Sequence, residues 1–233
     1  MCIIPVPGCD AVIIGEQKPL NEVLDLINAH SVRRLLVVGC DSCVSVCLAG
    51  GKDEVRELVL RLKEHSSDNA NGWKVRGLTI KRQCERRFED DIRNDIENSD
   101  LIVSMGCGVG AQMLSENFPG VNIVPAINTS NMGAPVRRGV FKERCMGCGD
   151  CTIHRTAGIC ALARCSKSLQ NGPCGGSHDG KCEIGPETDC AWHQIYVALK
   201  ERNELSRLTE PLPPKDWSKS RSGGSRTVRN KGE

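Results

Sequence analysis

Residues 34–65 read RLLVVGCDSCVSVCLAGGKDEVRELVLRLKEH. Arg34–Gly39 is a short apolar run closed by glycine, the content and length of a buried strand. Asp53–His65 opens on acids and sets Val55, Leu58, Val59 and Leu62 on one face, which predicts an amphipathic helix. A buried strand that feeds such a helix is the repeating unit of an α/β sheet. Between the two stand Cys40, Cys43 and Cys47, spaced C-x2-C-x3-C. Open α/β sheets gather ligands beyond the carboxyl ends of their strands, where these thiols fall.

The pattern repeats on both sides. Residues 18–30 carry apolar side chains at near-helical spacing, with Pro19 suited to a first turn. Residues 74–80, 100–105 and 121–127 read as further strands, and residues 88–97 and 111–117 as short helices. Strands alternating with helices predict an α/β fold, an open and mostly parallel sheet with helices on its faces, over residues 16–141. The texture then changes. Residues 142–208 form an irregular cysteine-rich segment, expected to bind metal and to end in a helix from residue 191. Residues 145–190 hold eight cysteines and almost no periodicity, so something other than apolar area must hold them. Residues 209–233 are rich in Pro, Ser, Gly and Arg and read as a disordered basic tail.

Composition narrows the function. The chain has 233 residues and a net charge of +2, so no global field points to nucleic acid. The tail is a basic stretch; a solubilising end is its plainer reading, with nucleic-acid or partner docking behind it. No run approaches the ~18 apolar residues of a membrane helix, and no membrane insertion is expected. Residues 1–14 are apolar but lack a basic start and are broken by Pro5, Pro7 and Asp10, which argues against a secretory signal. Gly8-Cys9 only faintly resembles a lipoprotein cleavage site. The expected location is cytoplasmic. Cysteine is the outlier, at 15 residues. An odd count excludes complete intrachain pairing, and clustered thiols in a chain of this size suggest metal or redox chemistry in a reducing compartment.

Two groups of thiols emerge. Cys40, Cys43 and Cys47 follow the first strand, Cys84 the second and Cys107 the third, so a parallel sheet should bring all five to one edge. Four thiolates around one site suit zinc or an iron–sulfur cluster. Gly50-Gly51 would let backbone approach a cluster and offer amide donors to it. Buried cysteines acting as small hydrophobes could account for one or two of the five. The second group opens with Cys145, Cys148 and Cys151 as C-x2-C-x2-C, the start of a ferredoxin-type run that takes a fourth ligand from elsewhere. Cys160, Cys165, Cys174, Cys182 and Cys190 follow as further candidate ligands. Eight thiols could close one cluster and a zinc site, two clusters, or one cluster with thiols to spare. Spacing leaves these open.

Other motifs carry less. Gly106–Ala111 fits G-x-G-x-x-A after a strand, yet it follows the third strand, no acid ends the next one, and Cys107 lies inside it. The five histidines form no metal-binding pattern. No Ser–His–acid set or carboxylate pair suggests hydrolysis, and no catalytic residue is assigned.

The stretches VGCDSCVSVCLAGGKDEV, TIKRQCE, SMGCGVGAQ, PAINTS and the run ERCMGCGDCTIHRTAGICALARCSKSLQNGPCGGSHDGKCEI with DCAW are together distinctive. Over residues 16–200 the chain resembles the MetV-type small cysteine-rich subunit of bacterial methylenetetrahydrofolate reductase. The resemblance implies an accessory subunit with 4Fe–4S clusters, one to three in number with two favoured, and with zinc possible. It implies a partner with a (β/α)8 fold that carries flavin (FMN) and reduces methylenetetrahydrofolate to methyltetrahydrofolate in one-carbon metabolism and the reductive acetyl-CoA pathway. Cys40, Cys43, Cys47 and Cys84 or Cys107 carry over as first-site ligands, and Cys145, Cys148 and Cys151 as second-site ligands. Ala161 departs from the proline expected after Cys160. Residues 1–15, with Cys2 and Cys9, and the basic tail have no counterpart in the resemblance. The expected function is electron transfer from an external donor, such as ferredoxin or a larger electron-transfer complex, to the partner's flavin. The alternative is a zinc-binding structural or adaptor subunit of the same reductase.

Overall fold

The computed structural model describes residues 13–67, 72–137, 139–220 and 224–225. The readings made for residues 1–12, Cys2 and Cys9 among them, lie outside these, as do those for tail residues 221–223 and 226–233. The chain divides into two compact units, Met1–Lys142 and Glu143–Glu233.

The first unit has the expected α/β architecture. Strands β2 (Arg34–Cys40), β3 (Lys74–Ile80), β4 (Leu101–Ser104) and β5 (Asn122–Pro125) form a parallel sheet in the order β3-β2-β4-β5. Side chains alternate across it, as the two-residue strand period demands. Leu35, Val37, Leu101 and Val103 pack on one face with Val23 and Ile27 of α1 (Leu20–Asn28) and with Val55 and Leu62 of α3 (Lys52–Ser67). Leu36, Val38 and Ile102 pack on the other with Ile92, Ile96, Leu114 and Phe118. Both faces of β2 are therefore covered, which explains its unbroken apolar run. At the amino edge, Asp100 accepts from the Arg33 and Arg34 amides at 3.0 and 2.8 Å and from the Arg34 guanidinium at 2.8 Å. Those bonds hold its carboxyl down at about 2.

The local differences have simple causes. Residues 86–97 form two short helices, α4 (Arg86–Asp90) and α5 (Arg93–Glu97), not one. The break falls at Ile92, whose side chain is buried. The strand expected at 121–127 ends at Pro125, where proline offers no amide to continue the ladder. Ala126 then bridges, giving its amide to Ser104 O and accepting from Lys18 N, and the chain restarts as β6 (Ile127–Arg137). β6 pairs antiparallel with β1 (Ile13–Gln17), in a three-stranded sheet of order β1-β6-β7 with β7 (Val140–Cys145). That second sheet was not expected from sequence.

The second unit is mostly irregular. Its regular pieces are α7 (Ala161–Arg164), the β8 (Lys181–Cys182) and β9 (Gly185–Asp189) hairpin, and α8 (Ala191–Glu201). A small core joins Ala157, Ala161, Trp192, Ile195 and Leu199. Of the C-terminal stretch read as a disordered tail, residues 209–220 are described and carry specific contacts. Asn171 exchanges two hydrogen bonds with the Leu212 backbone, at 2.9 and 2.7 Å. Lys215, its side chain only 3% exposed, donates to Asp150 O at 2.7 Å. Composition missed this because each anchor is a specific polar contact rather than a periodic pattern.

Candidate metal centres

In the first unit the thiols hang from the carboxyl ends of the strands. Cys40 is the last residue of β2 and is buried. Cys43 opens α2 (Cys43–Val46), Cys84 lies exposed beyond β3, and Cys107 stands just before α6 (Gly108–Asn117). Burial pushes the Cys40 thiol up to about 11, and negative charge on Cys107 and Cys84 adds to the rise; backbone bonds at Gln83 and Ser42 oppose it. Cys84 is raised too, by burial first and then by Cys107. Arg82 is raised chiefly by its bond to Glu85, with smaller contributions from Cys84 and Cys43. Cys40, Cys43, Cys84 and Cys107 thus share one electrostatic neighbourhood. Cys47 Sγ lies 3.4 Å from the carbonyl of Ile13 in β1, and Cys47 packs, like Cys107, against the core that holds Cys40.

Gln83 fixes this neighbourhood. Its side chain is fully buried and donates to Val38 O at 2.7 Å, while Ser104 donates to its carbonyl oxygen at 2.7 Å. It therefore ties the Cys84 loop to both central strands. A Cβ at Gly106 would stand 2.3 Å from its Oε1, and one at Gly110 2.7 Å from its Cβ. These glycines serve a close approach to Gln83, which accounts for the nucleotide-like spelling of Gly106–Ala111. Gly50 and Gly51 also act otherwise than expected. Their amides are bonded to Val44 O and the Glu54 carboxylate, and a Gly50 Cβ would meet Met105 O at 1.9 Å. They permit tight loop packing, and their amides are not open to a cluster.

In the second unit, Cys145, Cys148, Cys151 and Cys160 line one cavity of about 390 Å³. Arg144 and Arg164 line it too, with Ile153, Leu162 and Leu212. Gly147 donates its amide to Cys145 Sγ at 3.4 Å, and Gly147, Gly149 and Gly158 all hold positive φ. Glycine at those φ values lets the loop curl around its own sulfurs. The amide aims a donor at the sulfur, and two arginines put positive charge on the same wall. A chamber of that size, walled by four thiols, fits a multi-atom thiolate-held group better than one ion. Cys165, Cys174, Cys182 and Cys190 line a separate cavity of about 20 Å³. Among the described residues, no three His, Cys, Asp or Glu side chains converge on a single ion. The spacing pointed to Cys145, Cys148 and Cys151; it did not single out Cys160, which the fold brings back to them through the turn at Ile153–Arg155.

Residues 124–218 match the family model described as Methylene-tetrahydrofolate reductase C terminal. The match covers under half of the chain and makes that segment similar to the C-terminal part of methylenetetrahydrofolate reductase. It spans all eight thiols of the second unit and none of the described thiols of the first. No curated protein and no solved structure matches the chain. No helix among the described residues is long and apolar enough to cross a membrane.

Proposed function

We propose that the chain is an iron–sulfur electron-transfer subunit of a methylenetetrahydrofolate reductase complex. The observation that carries this reading is the chamber walled by Cys145, Cys148, Cys151 and Cys160, within the segment matched to the reductase family. A cluster bound there would supply reversible one-electron chemistry, suited to linking an external donor to a flavin on the catalytic partner. This chain's own residues do the holding and the tuning. The four thiols would deprotonate and ligate the cluster. The Gly147 amide bonds Cys145 sulfur, Arg144 and Arg164 offset negative charge, and Leu212 and Ile153 limit water at the wall. Lys215 fastens the loop that carries Cys148 and Cys151 through Asp150 O. The first unit offers a second candidate set in Cys40, Cys43 and Cys47 with Cys84 or Cys107, and with Gln83 as positioning residue.

The test is iron and acid-labile sulfide analysis, with electron paramagnetic resonance, on full-length chain purified without oxygen. Reducible iron–sulfur signals that fall in Cys148→Ser support the reading. Colourless protein with stoichiometric zinc and no iron would overturn it in favour of a structural zinc subunit.

A further inference from the structure

The sequence around Cys84, residues 81–87, reads KRQCERR. It carries four cations and one carboxylate, a local charge of +3 in a chain whose total is +2. Lys81, Arg82, Arg86 and Arg87 are all exposed, and so is Cys84. The segment begins just past the carboxyl end of β3, on the sheet edge where the thiols of the first unit hang.

The fold holds these charges in place. Gln83, buried between Arg82 and Cys84 in the chain, pins the loop to β2 and β4 through Val38 and Ser104. Glu85 accepts from Arg82 at 2.9 Å and from Arg87 at 2.8 Å, so one carboxylate serves two guanidiniums. Arg82 also donates to the hydroxyl of Ser42, beside Cys43, at 3.3 Å. Lys81 and Arg87 lie over the Phe88 ring, 5.9 and 4.5 Å from its centre. Acids nearby are engaged: Asp41 pairs with Lys52 at 3.7 Å, Asp90 pairs with Arg93, and Glu89 is buried against Asn117. Asp91 stands at the far end of α4, a turn beyond Arg87.

We propose that Lys81, Arg82, Arg86 and Arg87 form the docking surface, centred on Cys84, for a small acidic protein that carries single electrons. This rests on the function proposed above and adds where the electron enters. The carrier's reduced centre loses one electron and the group held by the first-unit thiols gains it; no bond forms or breaks. Charge complementarity selects the occupant. Electron-transfer encounters are small and transient, and long-range attraction sets their on-rate more than buried area does. A set of exposed cations around an exposed thiol steers an acidic surface over Cys84 without needing an apolar patch. Nucleic acid fits less well, because the Phe88 ring already carries Lys81 and Arg87 and offers no stacking platform for a base.

The experiment titrates the full-length chain, prepared without oxygen, with an acidic two-cluster ferredoxin as probe, at low and at high salt. Wild type should bind, and its affinity should fall as salt rises. Lys81→Gln combined with Arg86→Gln should weaken binding about tenfold at low salt, mostly through a slower on-rate. Arg33→Gln combined with Lys74→Gln removes two exposed cations from the opposite, amino edge of the sheet and should bind like wild type. Carbodiimide cross-linking of the wild type gives a second readout: Lys81 should join a probe carboxylate and Lys74 should not. Equal weakening by the two pairs, unchanged affinity in the first pair, salt-independent binding, or displacement of the probe by single-stranded DNA would overturn the docking surface. Iron analysis of the same samples separates the two claims. Iron present without probe binding sinks the dock alone; the expected binding pattern in a chain free of iron keeps the dock and sinks the electron-transfer reading.

Discussion

The two units are held together by different means. In the first, a two-sided parallel sheet buries Leu35, Leu36, Leu62, Leu101 and Ile102 almost completely. Apolar area of that kind folds a chain without help. In the second, a small core around Trp192 and Ile195 supports a chain dominated by loops and eight thiols. The contrast teaches that the same element, cysteine, plays different parts in the two. On the proposed function, removing metal from the first unit would take a ligand away from a finished fold, whereas removing it from the second would take away part of the fold itself.

Metal removal should therefore give the largest and most one-sided effect. Chelation under denaturant-free conditions should expose residues 143–220 to limited proteolysis while the first unit persists as a resistant fragment. Equal cleavage of both units would break the comparison. Leu62→Ala should do the converse. It opens a cavity in a fully buried position and costs about 3 kcal/mol of first-unit stability. Iron and zinc content should stay at wild-type values, and a loss of metal bound by the second unit would contradict the division of labour.

Gln83→Ala sharpens the picture inside the first unit. It leaves the buried Ser104 hydroxyl without its acceptor and takes one of two donors from the Val38 carbonyl, which keeps the Met105 amide, at a cost of about 1 kcal/mol. Because Gln83 precedes Cys84, the variant should also speed alkylation of Cys84 severalfold in metal-free protein. Unchanged thiol kinetics would reduce Gln83 to a structural residue. Lys215→Ala should cost about 1 kcal/mol in the second unit and make the chain beyond Leu212 more sensitive to protease.

Glu89→Gln is the smallest expected effect. Glu89 is buried against Asn117, with one carboxylate oxygen unpartnered. Burial raises its pKa. A carboxyl raised on folding contributes most when protonated, and that contribution is lost as pH rises through its folded value. Glutamine should therefore raise the first unit's melting temperature by about 2 °C at neutral pH and flatten its pH dependence above the usual carboxylate range. A lower melting temperature would contradict the reading of Glu89.

Much of this contrast is legible in the sequence. Two-sided burial writes itself as unbroken runs, as in RLLVVG and DLIVS, and α3 writes itself through Val55, Leu58, Val59 and Leu62. The β1–β6 pairing is not legible, because its partners stand more than a hundred residues apart and β6 alternates weakly. Ligand candidates are visible wherever spacing is local, as in Cys145–Cys151. The grouping of Cys160 with that triple, and of Cys165 with Cys174, Cys182 and Cys190, depends on loop closure that spacing does not encode. Gln83 was invisible for the same reason: a lone polar residue beside a cysteine gives no sign that it is bound for the centre of a sheet.

The central claim is that the larger chamber of the second unit holds an iron–sulfur cluster. The most direct measurement is an anomalous difference map at the iron absorption edge, from crystals of the full chain grown without oxygen. The account expects a compact multi-iron peak enclosed by Cys145, Cys148, Cys151 and Cys160. A chamber without iron signal, or one with a single zinc peak, would contradict it.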